Sequence, residues 1–280
     1  MSKFPPFSVS DVTDARRFFK AMRLLLCLGL LSPLPMALAA PDAAPATSES
    51  AAPESAPVEI RTAAKVYSTN IPRSFALQYQ IQRGGVRGHG EMRWTKTGDS
   101  YEASLKGYVA GFTVLNWASR GGFDHAGIAP ALYAEHRLGK SDRDVTFDRD
   151  DTRISFSGTR NEDIALPPGA QDRLSWLVQL PAILTADAKR ARAGTKLTLF
   201  VVGTKGRASD WVFESAGPET IRLPGGVVNS VKWVREAPDP DDTQAEVWLD
   251  PSRHYAPVRV RLTAAASEAP LELTLVDSTF

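Results

Sequence analysis

From about Asn70 to Phe280 the chain alternates apolar and polar residues, and a period of two is the mark of a β-strand with one face covered. Phe75, Leu77, Tyr79 and Ile81 fall on one face of a strand. So do Tyr101, Ala103 and Leu105, then Leu197, Leu199 and Val201, and finally Val258, Val260 and Leu262. Turn signals punctuate the runs: Gly84-Gly85, Thr97-Gly98-Asp99, Asp148-Arg149-Asp150-Asp151, Pro224-Gly225-Gly226, Pro238-Asp239-Pro240 and Asp250-Pro251. The template gives roughly eleven or twelve strands on short connections, which predicts an antiparallel meander rather than βαβ units.

One segment breaks the period. Leu174, Leu177, Val178, Ile183 and Leu184 recur at helical spacing behind Pro167-Pro168-Gly169, with Asp172 placed to cap. The pattern predicts a helix over 172–187, kinked or broken at Pro181. A lone amphipathic helix in a β domain must bury its apolar face on the sheet, and a sheet of this size closes as a barrel or curls around something. The expected fold is therefore mainly β: a large antiparallel sheet forming an open or incomplete barrel around one kinked helix. The helix face of Leu174, Leu177, Val178 and Leu184, with Trp176, either fills that core or borders an apolar cavity. The six tryptophans, Trp94, Trp117, Trp176, Trp211, Trp233 and Trp248, fit the same two readings, core packing or an aromatic-lined ligand cavity.

The N-terminus sets the compartment. Leu24 to Leu31 is an apolar run behind Arg16, Arg17, Lys20 and Arg23, and it leads through Pro33 and Pro35 to Ala37-Leu38-Ala39. That order reads as a secretory signal peptide over residues 1–39, too short for a permanent anchor, with a periplasmic protein starting near Ala40. Arg16-Arg17-Phe18-Phe19 resembles the twin-arginine export motif, whereas the Leu-rich core suits the general secretory route; translation from Met1 and from Met22 both fit. Residues 40–69 read as a disordered Ala/Pro/Ser-rich linker, since residues 40–57 cannot bury enough surface to offset the entropy of ordering. Residues 70–280 then form a single β-rich domain.

Composition excludes several chemistries. Cys27 is the one cysteine and leaves with the leader, so the mature chain has no disulfide, thiol nucleophile or cysteine ligand. Residues 1–39 hold five of the 33 Lys and Arg and two of the 32 Asp and Glu. The remaining chain carries 28 basic and 30 acidic side chains, a balance that argues against a nucleic-acid partner. His89, His125, His136 and His254 show no metal-ligand spacing, and Asp124 and His125, as neighbours on a strand, would point to opposite faces. No Gly-x-Ser-x-Gly occurs, and Ser175 is expected on the helix surface. The acidic clusters fail the EF-hand pattern and read as Asp-bonded turns; Gly84, Gly85, Gly88 and Gly90 lack dinucleotide spacing and mark a hairpin. Lys189, Arg190 and Arg192 read as a solvated helix end. An outer-membrane barrel would alternate in phase with a terminal aromatic, but counting back from Phe280 by twos gives Ser278, Val276, Thr274 and Glu272, with Leu271, Leu273 and Leu275 on the other face.

Phe147-Asp148, the helix text QDRLSWLVQL at 171–180 and the closing hairpin EVWLDPSRHYAPVRVRL at 246–262 resemble the exported bacterial family catalogued as domain of unknown function 3108. The likeness covers most of 70–280, and it implies no catalytic residues. The hairpin is also similar to strand pairs of periplasmic lipoprotein carriers, whose open half-barrel is plugged by helices and shelters acyl chains; this implies a ligand class by analogy of fold. The expectation is an exported protein with a binding or envelope-assembly role, sheltering an apolar or lipid ligand or meeting another envelope protein, with no cofactor or metal and not embedded in the membrane. The alternative is a periplasmic hydrolase with a site assembled from dispersed His and Asp residues.

Overall fold

The computed structural model describes residues 65–136, 142–158, 162–265 and 268–280; the leader and most of the linker lie outside them. The protein is mainly β. One fifteen-stranded sheet, not closed into a barrel, curls around one α-helix, α1, Trp176–Ala186. Strands β1 (Phe75–Arg83), β2 (Val86–Thr97), β3 (Ser100–Val109), β4 (Phe112–Asp124), β5 (Gly127–His136), β6 (Arg143–Asp148), β7 (Arg153–Phe156) and β8 (Ile164–Ala165) form one antiparallel meander. After α1 a second meander runs through β10 (Lys196–Val202), β11 (Ala208–Leu223), β12 (Gly226–Arg235), β13 (Gln244–Asp250), β14 (Ala256–Thr263) and β15 (Leu271–Thr279). Between the meanders lies β9 (Gln171–Asp172), parallel to β10. The seam between the halves is β1 against β15, antiparallel.

This order makes β8 and β9 the two edges of the sheet, although they are close in sequence. A flat sheet of fifteen strands spaced about 4.8 Å apart would be about 67 Å wide. The stretch from Ala165 to Gln171 reaches about 22 Å at most. The connection therefore forces the sheet to roll up, and β9 comes back beside β5, where Gln171 Nε2 donates to the Ile128 carbonyl at 2.8 Å. Sequence alternation finds the long strands but not β8 and β9, because a two-residue ladder has no period to read. These two account for part of the difference between the fifteen strands found and the eleven or twelve expected.

The inner face is the alternating set. Leu77, Tyr79, Tyr101, Leu105, Leu197, Leu199, Val258 and Val260 are all buried, as are all six tryptophans. From Trp176 to Leu184 every residue of α1 is buried, so the helix is enclosed on all sides rather than laid on a surface. It begins at Trp176, later than the expected 172, and it continues through Pro181. Asp172 does cap, one turn early: its Oδ1 accepts from the Leu174 and Ser175 backbone N–H groups at 2.8 and 2.7 Å, while its own N–H donates to Ser175 Oγ at 2.9 Å. Ser175, expected at the surface, is thus fully buried by this exchange of bonds.

Two further departures shape one end of the roll. A bulge at Val276 shifts the β1–β15 register, so that Leu275 faces Tyr79 but Ser278 faces Leu77. The phase counted from sequence is thereby reversed, and Phe280 reaches the Phe75 ring at 6.1 Å between centroids. Lys65 to Ser74 runs as an extended strap across the helix; Tyr67, on the linker side of residue 70, is buried, its hydroxyl accepting from the Thr198 N–H at 2.9 Å. The Asn70 N–H donates to the Ala182 carbonyl at 2.9 Å, fixing strap to helix.

Candidate functional site

A cleft of about 630 Å³ opens where strap, helix and seam meet. Its floor is one face of α1: Leu177, Val178, Pro181 and Thr185 recur at positions that share a side of a 3.6-residue helix. Ile71, Pro72 and Arg73 of the strap form one wall, together with Phe75. Pro257 and Ala256 at the start of β14 form the other, and the exposed Phe280 ring stands at the mouth. Tyr79 holds this wall in register, donating from its hydroxyl to the Pro257 carbonyl at 2.6 Å.

The rim is polar and built from a strained turn. Asp250 accepts from the Ser252 N–H and Oγ at 2.8 and 2.7 Å and from an Arg253 guanidinium nitrogen at 2.9 Å. The chain then turns back through two consecutive non-glycine residues in the left-handed region, His254 at φ 52° and Tyr255 at φ 58°. The Tyr255 N–H donates to the Asp250 carbonyl at 2.8 Å, and Thr185 Oγ1 donates to the His254 carbonyl at 3.3 Å. These bonds hold Arg253 and His254 at the cleft edge.

Of the five cavity candidates named from sequence, Leu177 and Val178 border the cleft. Leu174, Trp176 and Leu184 are buried but are not part of its lining. Trp176 packs at 5.0 Å between centroids on Phe213 and at 5.9 Å on Trp211. Ile71, Arg73, Pro257 and Phe280 also line the cleft, and none of them carries a sequence signal for it. No spacing links them in sequence, since the strap, the β13–β14 turn and the chain end meet only through the β1–β15 seam.

The other face of α1 is anchored by buried polar groups. Gln179 Oε1 accepts from the Ile128 N–H at 2.9 Å and its Nε2 donates to the Ala126 carbonyl at 2.7 Å. This contact requires Gly127, at φ 107°, because a Cβ there would lie 2.7 Å from Gln179 Oε1. Asp172 Oδ2 accepts from Ser119 Oγ, which is also hydrogen-bonded to the Tyr101 hydroxyl at 2.8 Å. Burial pushes the Asp172 carboxyl up to about 6, against the lowering effect of its bonds from Ser119, Ser175 and Leu174. The Asp–Ser pair is closed off in the core, and its hydrogen bonds go to Tyr101 and the helix start. His136 instead pairs with Asp142 at 2.8 Å, and His89 stacks on Tyr108. Among the described residues no three His, Cys, Asp or Glu groups could hold a metal. Asp124 bonds the Ala126 N–H and pairs with Arg149, and Asp148 accepts from the N–H groups of Asp150 and Asp151 as a turn carboxylate does.

A family model described as "Protein of unknown function (DUF3108)" matches residues 74–274. No curated protein matches the chain. Among solved structures it is similar to the crystal structure of a β-barrel-like protein of domain of unknown function DUF1849 from Brucella abortus, at 11% identity and a TM-score of 0.47, covering 75% of this chain and 99% of that one.

Proposed function

The chain belongs to the DUF3108 family, described as proteins of unknown function, and from its cleft we propose that it is an exported envelope protein that shelters an apolar chain without doing chemistry on it. The observation that carries this reading is the cleft itself. Its volume of about 630 Å³ falls within the 300–1,000 Å³ typical of small-molecule sites. Its walls of Leu177, Val178, Ile71, Phe75, Pro181 and Pro257 offer an alkyl chain burial at about 0.8 kcal/mol per CH₂. The leader at 1–39 supports export to the periplasm. The outer face of the second meander supports a domain that meets water rather than lipid: Lys232 pairs with Glu246 at 2.6 Å, Arg259 with Glu272 at 3.1 Å and Arg261 with Glu246 at 3.5 Å.

The test is displacement of a fluorescent fatty-acid probe, alongside native mass spectrometry of protein taken from a bacterial periplasm. The reading expects a co-purified amphiphile or saturable probe uptake, lost when Val178→Trp fills the cleft. Absence of both in the wild-type protein overturns it.

A further inference from the structure

Resting on that reading, we infer that the sheltered molecule is a single-chain fatty acid whose carboxylate is held between Arg73 and Arg253 at the rim of the cleft. The side chains lining the cleft include two arginines and a histidine but no aspartate or glutamate. Arg73 sits on the exposed strap and forms no ion pair or side-chain hydrogen bond with any described residue, so its guanidinium is available. Arg253 comes from the opposite wall, half exposed, and one of its nitrogens is fixed by the nearly buried Asp250 carboxylate. Among the described residues its other N–H groups have no hydrogen-bond partner. Apolar floor and cationic rim thus meet in one cavity, which is the complement of an anionic amphiphile.

Charge decides the head group. Arg73 and Arg253 against Asp250 leave one positive charge among these three side chains. One negative charge matches a carboxylate; a phosphomonoester, carrying nearly two at pH 7, is over-charged for the site.

The experiment compares palmitate, its methyl ester and a lysophosphatidate of equal chain length as competitors of the fluorescent probe, using the purified protein at two salt concentrations. Palmitate is expected to bind best. Arg73→Gln is expected to weaken palmitate about tenfold without moving the melting temperature or ester binding. Arg253→Gln, which also removes a partner of Asp250 and is therefore checked for fold by circular dichroism, should weaken palmitate to a similar degree, and higher salt should weaken the acid only. Equal binding of acid and ester, unmoved by either substitution, overturns the head-group assignment and leaves the sheltering reading intact. Tighter lysophosphatidate overturns the choice of carboxylate. If no chain of any kind binds, the sheltering reading itself fails, and this inference with it.

Discussion

Both faces of α1 are buried from Trp176 to Leu184, and they do opposite things. Trp176, Gln179, Leu180 and Ile183 share the side that meets the sheet, where Trp176 stacks on Phe213 and Gln179 makes buried hydrogen bonds. Leu177, Val178, Pro181 and Thr185 share the side that floors a cleft. The comparison teaches that burial of a helix all round does not mean packing all round. A residue at a cavity wall loses water as a core residue does, yet it gains fewer contacting atoms, and the missing contacts are what a guest can supply.

The sharpest way to break the comparison is to truncate both faces. Trp176→Ala is expected to cost about 3–5 kcal/mol in urea unfolding, the range for a large aromatic removed from a packed core, with probe binding unchanged per folded molecule. A loss under about 1 kcal/mol would mean that this face is not packed.

Next in size is the anchor at the helix start. Between its ordinary value of 3.8 and about 6, Asp172 holds a proton in the folded state that the unfolded chain has released. Its contribution to stability therefore falls as pH rises through that window, by on the order of 3 kcal/mol, and is level above it. Asp172→Asn keeps an acceptor for the Leu174 and Ser175 N–H groups and removes the titration, so its stability should lack this fall between pH 4 and 6. Asp242, held below its ordinary value because bonds and charge from Arg235 outweigh burial, titrates under that window and loses stability as pH falls. An unchanged pH profile in Asp172→Asn would show that the carboxyl is not dry.

Smaller effects belong to the cleft face. Leu177→Ala should cost less than about 2 kcal/mol, below the usual range for a packed leucine, while weakening probe uptake several-fold. A full core-sized loss with no change in uptake would move Leu177 to the packed face. Phe280→Ala, at a ring 56% exposed and touching Phe75, should cost about 1 kcal/mol or less and act mainly by speeding probe release in stopped-flow.

Much of the first face was legible in the sequence, because burial leaves a periodic trace. Phe75, Leu77, Tyr79 and Ile81 declared their common side, and the hairpins announced themselves through Gly84-Gly85 and Thr97-Gly98-Asp99. The helix showed through its spacing and Asp172 through its position, although the cap acts at 174 and 175 rather than opening the helix at 172. The cleft left no such trace. Leu177 and Leu180 look alike in a periodic pattern, and what separates them is the strap and turn packed nearby. Phe280 was placed on the wrong face because one extra residue at the Val276 bulge reverses every side chain after it. Ser175 was misplaced because a short polar side chain was read as solvent-facing, when its partner was the Asp172 backbone.

The β1–β15 seam governs when this protein can exist at all. Its partners stand nearly the whole domain apart in the chain, so the loop they close is the longest in the sheet, and topologies dominated by such pairings fold slowly. Until Leu271–Thr279 has emerged, β1 and β14 each present an unpaired edge and the cleft lacks its Phe280 mouth. Completion of the last nine-residue strand is thus the event that turns two open meanders into one folded body, and a chain stopped short of it should be a substrate for proteases and chaperones rather than a weaker version of the same protein.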